Sequence, residues 1–200
     1  MEQKKIIVAF DFDGTITNRD TFLEFIKFTK GKKLFYIGLL LYSPFLVAYK
    51  MKLYPNWKVK EKIFGYFFKG MSISEFSRLG ESFMERISKI VRPKALETIK
   101  RYQQQKVAIY VISASICNWV APWCRSVGIE SVLGTKIETD NQGLLTGRFL
   151  TKNCYGEEKI NRLIEKEPDR QTYLLYAYGD SRGDKELIEF ADKGWYNKFE

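Results

Sequence analysis

The stretch KIIVAFDFDGT, from Lys5 to Thr15, decides the fold, because an apolar run ends abruptly at two acidic residues. A short apolar run of this kind is typical of a strand buried on both faces of a parallel sheet. Residues two apart share one face of a strand, so Asp11 and Asp13 point to the same side. Neighbouring buried carboxylates repel unless a cation lies between them, and oxygen ligands favour Mg²⁺. The alternative is a simple strand-ending turn, in which Asp and Gly are common.

Two further apolar runs, 107–112 (VAIYVI) and 172–178 (TYLLYAY), also end in clusters of small polar residues. Segments with helical spacing separate the runs, so the sequence predicts an α/β fold with a Rossmann-like, doubly wound parallel sheet. Ligands bind at the carboxyl ends of the strands in such sheets. We therefore expect the three polar clusters to lie together.

About ninety residues separate the first two predicted strands, far more than a simple crossover helix needs. Ser72 and Glu75 form a capping-box pattern, and apolar residues then recur at spacings of three and four. Pro93 suits the first turn of a helix that returns the chain to the core, and residues 135–151 are typical of a hairpin. The sequence thus predicts an inserted helical domain.

The composition excludes several kinds of catalytic site. The chain has 200 residues and no histidine, which excludes a Ser-His-Asp triad, a Cys-His pair and a typical histidine-ligated zinc site. Cys117, Cys124 and Cys154 form no CxxC pair, and their odd number favours a reducing compartment. Five apolar residues before Asp11 are too few for a signal peptide, so we expect a cytoplasmic protein.

The net charge of +9 lies almost entirely in one segment. Residues 17–90 contain 14 Lys and Arg against 6 Asp and Glu, whereas the remainder contains 19 against 18. This segment is therefore expected to face something negatively charged. Nucleic acid is not expected, because the segment is rich in Lys and base recognition relies on Arg.

Residues 34–49 carry no charge, and as one continuous helix they would span about 24 Å. This falls short of the ~30 Å hydrocarbon core of a bilayer, and Pro44 is expected to end a helix near Ser43. One interpretation is a buried helix pair, and the other is an interfacial hairpin that contacts an anionic membrane through flanking lysines. These lysines are Lys27, Lys30, Lys32, Lys33, Lys50, Lys52, Lys58, Lys60 and Lys62.

The polar cluster GDSRGD, residues 179–184, supplies two further acidic side chains. Asp180 is expected at a strand end and Asp184 at the start of the next helix. A hard cation needs carboxylates from more than one segment, so both are candidate metal ligands. The alternative for Asp184 is a plain N-cap.

Two features point to an anion at the same sheet edge. Ser113, Ala114 and Ser115 are expected to end a strand and open a helix, where hydroxyl and backbone N–H groups surround an anion. Lys159 lies in the first turn of a predicted helix, where the helix dipole disfavours a cation unless the side chain reaches a phosphate. The alternatives are an N-cap role for Ser115 and an exposed Lys159 paired with a neighbouring glutamate.

These motifs, in this order, resemble those of the haloacid dehalogenase superfamily, in particular its subfamily with a helical cap, which includes phosphoserine phosphatases. The motifs are DFDGT at 11–15, VISAS at 111–115, the lysine of CYGEEK at Lys159 and GDSRGD at 179–184. The resemblance implies a catalytic core of residues 1–15 and 91–200. Residues 16–90 would form the cap.

The resemblance also implies a Mg²⁺-dependent phosphatase reaction with an aspartyl-phosphate intermediate. Asp11 would attack phosphorus, and Asp13 would protonate the leaving oxygen and then activate water. The phosphoryl group would be held by Ser113, Ala114 and Lys159. Mg²⁺ would be bound by Asp180, the Asp11 carboxylate and the Asp13 carbonyl, with Asp184 as a ligand or a support for the ligands.

Two substrate classes follow from the resemblance. Phosphoserine phosphatases bind the substrate amino group through a cap Glu, and Asp20 stands at the matching position, although the second and third motifs depart from theirs. The chain also resembles capped phosphatases that include bacterial phosphatidylglycerophosphate phosphatases, whose cap carries a long apolar stretch. This favours an amphiphilic or lipid phosphate. An inactive membrane-binding module is disfavoured, because no nucleophile or metal carboxylate is missing.

Overall fold

The computed structural model describes residues 4–51 and 53–200, and its strands follow the predicted apolar runs. Strands β1 to β7 comprise Lys5–Phe10, Ala108–Ile116, Ser131–Thr135, Ile137–Thr139, Leu145–Phe149, Tyr173–Gly179 and Lys193–Tyr196. Five of them form a parallel sheet in the order β3-β2-β1-β6-β7, while β4 and β5 form the predicted antiparallel hairpin. The α/β fold class is confirmed.

Helices α1 to α9 comprise Thr21–Leu41, Ser43–Lys50, Asn56–Phe68, Ile73–Ser82, Met84–Ser88, Pro93–Gln104, Cys117–Ser126, Glu157–Lys166 and Lys185–Phe190. The first five fill the predicted insert between β1 and α6, and Gly31 interrupts α1 with a φ of 78°. The Ser72 hydroxyl caps α4 by accepting a hydrogen bond from the Glu75 N–H at 3.2 Å, as its pattern predicts. The boundaries of the insert at residues 16 and 90 stay a prediction.

Helices cover both faces of the sheet, because successive side chains of a buried strand point to opposite sides. In β1, Val8 and Phe10 pack in one apolar cluster with residues of α6 and α7. Ile7 and Ala9 pack in a second cluster with residues of α8 and α9. This arrangement is the predicted doubly wound core.

Aromatic packing holds the helical insert on the core. The Phe25 ring of α1 stacks on Trp119 of α7 with ring centroids 4.6 Å apart. Phe76 and Phe83 of the insert meet the same Phe25 ring edge-on, at 5.3 and 5.2 Å. The start of α1 is thereby fixed beside the residues that follow β1.

The structure corrects the prediction for Ser113 to Ser115. These residues continue β2, which pairs with β3 as far as Ile116, and α7 begins only at Cys117. The prediction that they open a helix is therefore wrong, because pairing with β3 keeps this part of the chain extended.

The uncharged run 34–49 divides where Pro44 predicts. The helix α1 ends at Leu41 and α2 begins at Ser43, so Pro44 lies in the first turn of α2. The interpretation as a buried helix pair is wrong, since Phe35 and Gly38 are the buried residues of this run. Within the residues that the structure describes, none of the helices combines the length and the apolar character that crossing a membrane requires. Lys52, one of the flanking lysines, lies outside the described residues.

Candidate active site

The carboxyl ends of β1, β2 and β6 border one cavity of about 480 Å³. Seven of the predicted site residues line it, namely Asp11, Asp13, Asp20, Ser113, Ala114, Lys159 and Asp180. Asp184, the eighth, lies buried behind them. The sheet edge therefore brings together residues that are up to 173 positions apart along the chain.

A tight turn after β1 brings the first and last motifs into contact. The Asp11 N–H donates to the Tyr178 carbonyl at 2.8 Å, which keeps Asp11 in register with β6. Gly14 has a φ of 86°, and a Cβ atom there would lie 2.1 Å from Asp180 Oδ2. The Thr15 hydroxyl donates to Asp180 Oδ1 at 2.9 Å. Only glycine therefore fits at position 14, both for its backbone angle and for the approach of Asp180.

Lys159 is buried between two acidic side chains. Its Nζ lies 2.5 Å from Asp11 Oδ1 and 2.5 Å from Asp184 Oδ1. Burial by itself lowers the pKa of Lys159, but the charges of Asp11 and Asp184 raise that pKa above its ordinary value. The lysine is therefore a fixed cation at neutral pH, and the alternative of an exposed Lys159 paired with a neighbouring glutamate is wrong.

Asp184 supports the loop after β6. Its Oδ2 accepts hydrogen bonds from the N–H groups of Asp180 and Ser181 at 3.2 and 3.0 Å, and from the Ser181 hydroxyl at 2.9 Å. Burial disfavours its charged form, but Lys159 and these donors together lower the pKa of Asp184. It does not cap α9 with its side chain, so the plain N-cap alternative is wrong.

Three carboxylates form a cluster that fits a divalent cation. Asp11, Asp180 and Asp184 each place an oxygen within 4.8 Å of the others. Burial raises the pKa of Asp11 well above its ordinary value and also raises that of Asp180. The three side chains offer carboxylate oxygens alone, which matches the ligand preference of Mg²⁺, and a bound cation would favour their charged forms.

The Asp13 carboxylate forms a different set of contacts, at the start of α1. Its Oδ1 accepts hydrogen bonds from the Thr21 N–H at 2.8 Å and the Thr21 hydroxyl at 2.6 Å, and its Oδ2 accepts one from the Ser115 hydroxyl. Burial and then the charge of Asp20 raise the pKa of Asp13, although Lys60 opposes this. The result is an acid that is held in one orientation and that retains its proton more readily than an exposed Asp.

Ser113 and Asp20 also meet main-chain groups. The Ser113 side-chain oxygen is buried and accepts a hydrogen bond from the Ser115 N–H at 3.0 Å. Asp20 caps α1, because its Oδ1 accepts from the Leu23 N–H at 3.1 Å. Both residues border the cavity, so each is in reach of a bound molecule.

The sequence did not single out Thr21 and Lys60, two residues that lie at the site. Thr21 and Ser115 donate hydrogen bonds to Asp13, and the alternative of an N-cap role for Ser115 is wrong, because Ile116 precedes α7. Lys60 of α3 reaches the cavity, where its Nζ donates to the Ala114 carbonyl at 2.9 Å. No signal in the sequence distinguishes Lys60 from the other lysines of the insert, because only the packing of α3 decides which of them faces the site.

Comparison with known proteins confirms the family that the motifs resemble. A family model described as haloacid dehalogenase-like hydrolase matches residues 8–189. Protein CicA of Caulobacter vibrioides is 31% identical over 201 residues, which cover 100% of this chain and 89% of that protein.

Two phosphatases are also similar. A histidinol-phosphatase of Neisseria meningitidis serogroup C is 29% identical over 126 residues, or 60% of this chain and 56% of that protein. The solved structure of a substrate-bound phosphoserine phosphatase superimposes with a TM-score of 0.64 at 19% identity, covering 95% of this chain and 84% of that one. This second likeness is one of fold.

Proposed function

Because this chain belongs to the haloacid dehalogenase-like hydrolase family, we propose that it is a Mg²⁺-dependent phosphomonoester hydrolase that forms an aspartyl-phosphate on Asp11. The observation that carries the proposal is the charge arrangement around Asp11. Its carboxylate borders the cavity, contacts the fixed cation Lys159 and shares a cluster of oxygen donors with Asp180 and Asp184. Positioning and neutralisation of oxygen charges are what phosphoryl transfer needs most.

The proposed reaction has two steps. A carboxylate oxygen of Asp11 attacks phosphorus, the bond from phosphorus to the ester oxygen breaks, and Asp13 donates its proton to that leaving oxygen. Asp13 then takes a proton from water, and the resulting hydroxide attacks phosphorus to release phosphate and restore Asp11. The raised pKa of Asp13 suits the first step, because the group must hold a proton near neutral pH before it can donate it.

Other residues hold the phosphoryl group and its charge. Lys159 is a cation beside the attacking oxygen, and Ser113 and Ala114 border the same end of the cavity. Mg²⁺ bound by Asp180, the Asp11 carboxylate and the Asp13 carbonyl, with Asp184 as a ligand or a support, would add a divalent charge that neutralises phosphoryl oxygens. Together these groups stabilise the charge that develops as the ester bond breaks.

Replacement of Asp11 by Asn tests the mechanism. The change keeps the size of the side chain but removes the nucleophile, so hydrolysis of p-nitrophenyl phosphate with Mg²⁺ is expected to fall by roughly 10⁴-fold or more. Glu97→Gln, at an exposed position of α6, is the matched control and should retain full activity. Substantial turnover by Asp11→Asn would contradict the mechanism. A wild-type protein without turnover would favour an inactive binding module.

The walls of the cavity support an amphiphilic phosphate as substrate, such as phosphatidylglycerophosphate. The insert contributes a group of apolar residues to these walls, beside polar and charged ones: Phe22, Leu23, Leu46, Val59 and Ile63. Lys60 adds a positive charge there. A lipid phosphate is presented at a bilayer surface, so peripheral contact with an anionic membrane at its cytoplasmic face belongs to this proposal.

A small metabolite such as phosphoserine is the second candidate, because Asp20 borders the cavity and could bind a substrate amino group. The two candidates are separated by measuring kcat/KM for phosphoserine and for phosphatidylglycerophosphate side by side. A higher value for the lipid supports the first candidate, and a higher value for phosphoserine supports the second. Inactivity on both would contradict both.

A further inference from the structure

The insert exposes an apolar surface between Leu34 and Leu53, here called the 34–53 surface. Nine large apolar residues are exposed on it: Leu34, Tyr36, Ile37, Leu40, Leu41, Val47, Tyr49, Met51 and Leu53. Leu40 and Leu53 expose 76% and 74% of their areas. Folded monomers rarely leave so many neighbouring apolar side chains in water unless the surface binds something.

Little of this segment is used to hold the fold together. In the part of α1 that follows Gly31, Phe35 and Gly38 are buried, and α2 contributes no buried residue. The two helical segments are also too short to cross a bilayer. Their geometry suits helices that lie in the plane of an interface with one side in an apolar layer.

The charged residues of the chain segment that carries the surface have one sign. Residues 25–60 contain eight lysines and no Asp or Glu. Lys32, Lys33 and Lys50 are exposed and lie next to the exposed apolar residues in the chain. Such a surface is complementary to anionic phosphate groups above an apolar layer. It opposes contact with a second copy of itself, because two sets of lysines would then meet.

The surface is continuous with the catalytic cavity through α2. Leu46 of this helix lines the cavity, and Val47, the next residue, exposes 55% of its area on the outside. A molecule anchored in the layer that the surface contacts would therefore be separated from the cavity by the single helix α2.

We propose that the 34–53 surface docks on an anionic lipid bilayer. Its apolar side chains lie in the interfacial region, and the adjacent Lys32, Lys33 and Lys50 contact lipid phosphates. This inference rests on the proposed function and deepens it, because it names the face through which the enzyme would reach a lipid phosphate. Docking itself requires no turnover, so the two can be tested apart.

Vesicle sedimentation at low salt tests the docking. The wild-type protein should bind vesicles of phosphatidylcholine with phosphatidylglycerol and should remain free with phosphatidylcholine alone. Lys32→Gln/Lys33→Gln should lower the partition coefficient about 25-fold, at about fivefold for each lysine. Leu40→Ser/Val47→Ser should lower it by more than about tenfold through lost apolar burial.

The matched control is Lys100→Gln/Lys166→Gln, which removes the same charge from exposed positions of α6 and α8 and should bind like the wild type. An equal decrease in the partition coefficient for the two double-lysine variants would overturn the proposal, because it would indicate diffuse charge attraction. No binding to anionic vesicles would also overturn it. So would a dimer, measured by sedimentation velocity, that Leu40→Ser/Val47→Ser makes monomeric while vesicle binding persists.

Turnover of p-nitrophenyl phosphate separates this test from that of the proposed function. All surface variants should hydrolyse it at the wild-type rate, which also shows that they fold. Asp11→Asn should bind vesicles like the wild type without turning over. Docking without turnover in the wild type would refute the proposed function alone, and turnover without docking would refute this inference alone.

Discussion

Lys159 is the residue on which the charge balance of the site depends. It is the cation that contacts Asp11 and Asp184, and all three side chains are buried. A buried ion pair costs desolvation, and removing one partner leaves an uncompensated charge that typically costs 3–5 kcal/mol. This arrangement lies at the carboxyl end of the central strand, where in the proposed reaction a phosphate ester would contact both the nucleophile and a cation.

Lys60 offers a test of the side of the site that the insert contributes. Lys60→Met removes the charge that borders the cavity beside Asp13, so KM for a phosphate ester is expected to rise about tenfold or more, with a smaller change in kcat. The control is Lys58→Met on the same helix, since Lys58 is exposed and does not line the cavity. Equal KM values for the two variants would contradict a role for Lys60 in binding.

At the scale of the elements, the contact between α4 and α7 joins the insert to the core. Gly80 of α4 lies against the backbone of α7, and the Asn118 side-chain amide of α7 donates to the Ser77 hydroxyl of α4 at 3.0 Å. A Cβ atom at Gly80 would lie 2.2 Å from the Asn118 carbonyl oxygen. The two helices can therefore approach this closely only with glycine at that position.

Gly80→Ala is expected to destabilise the protein although alanine favours helices. The gain in helix propensity is about 1 kcal/mol, whereas the clash with a backbone oxygen forces α4 away from α7 and exceeds that gain. We expect the free energy of unfolding in urea to fall by about 1–3 kcal/mol. Glu81→Ala, at the exposed neighbouring position, should leave it nearly unchanged. A stabilised Gly80→Ala variant would show that α4 does not pack on α7 in this way.

At the scale of the whole molecule, the acidic cluster is expected to link the proposed metal binding to stability. Burial raises the pKa of Asp180, and the charge of Asp184 adds to this effect. A carboxyl group with a raised folded-state pKa destabilises the fold at pH values above its unfolded pKa, which is about 3.9. Asp180→Asn in EDTA at pH 7 is therefore expected to raise Tm by a few degrees, and the difference should disappear as the pH falls below about 4.

Addition of Mg²⁺ should reverse the order of the Tm values of the wild type and Asp180→Asn. A ligand that binds only the folded state stabilises it by about 2.7 kcal/mol at 100 times its Kd, so the wild type should gain stability and Asp180→Asn much less. Asp192→Asn is a control of opposite sign in EDTA. Desolvation opposes the charged form of the exposed Asp192, but hydrogen bonds from the Leu175 N–H and the Arg170 guanidinium lower its pKa. A wild-type Tm that Mg²⁺ leaves unchanged would contradict metal binding at the cluster.

The sequence by itself determined the core of the fold and most of the candidate site. Apolar runs that end in small polar residues predicted the strands, because burial on both faces and a turn at the strand end leave a local pattern. Parallel strands align their carboxyl ends, so Asp11, Ser113 and Asp180 could be expected together before any contact was known. The break at Pro44 was also predictable, since proline acts on its own helix.

Only the tertiary structure decided the features that depend on packing between distant segments. Pairing with β3 kept Ser115 in a strand and turned its hydroxyl toward Asp13. The orientation of α3 selected Lys60 among many lysines, and the 34–53 surface stayed exposed because few residues after Gly31 are buried against the rest of the chain. An apolar run has the same sequence pattern whether it is buried or exposed. Its burial depends on which distant segments of the chain pack against it.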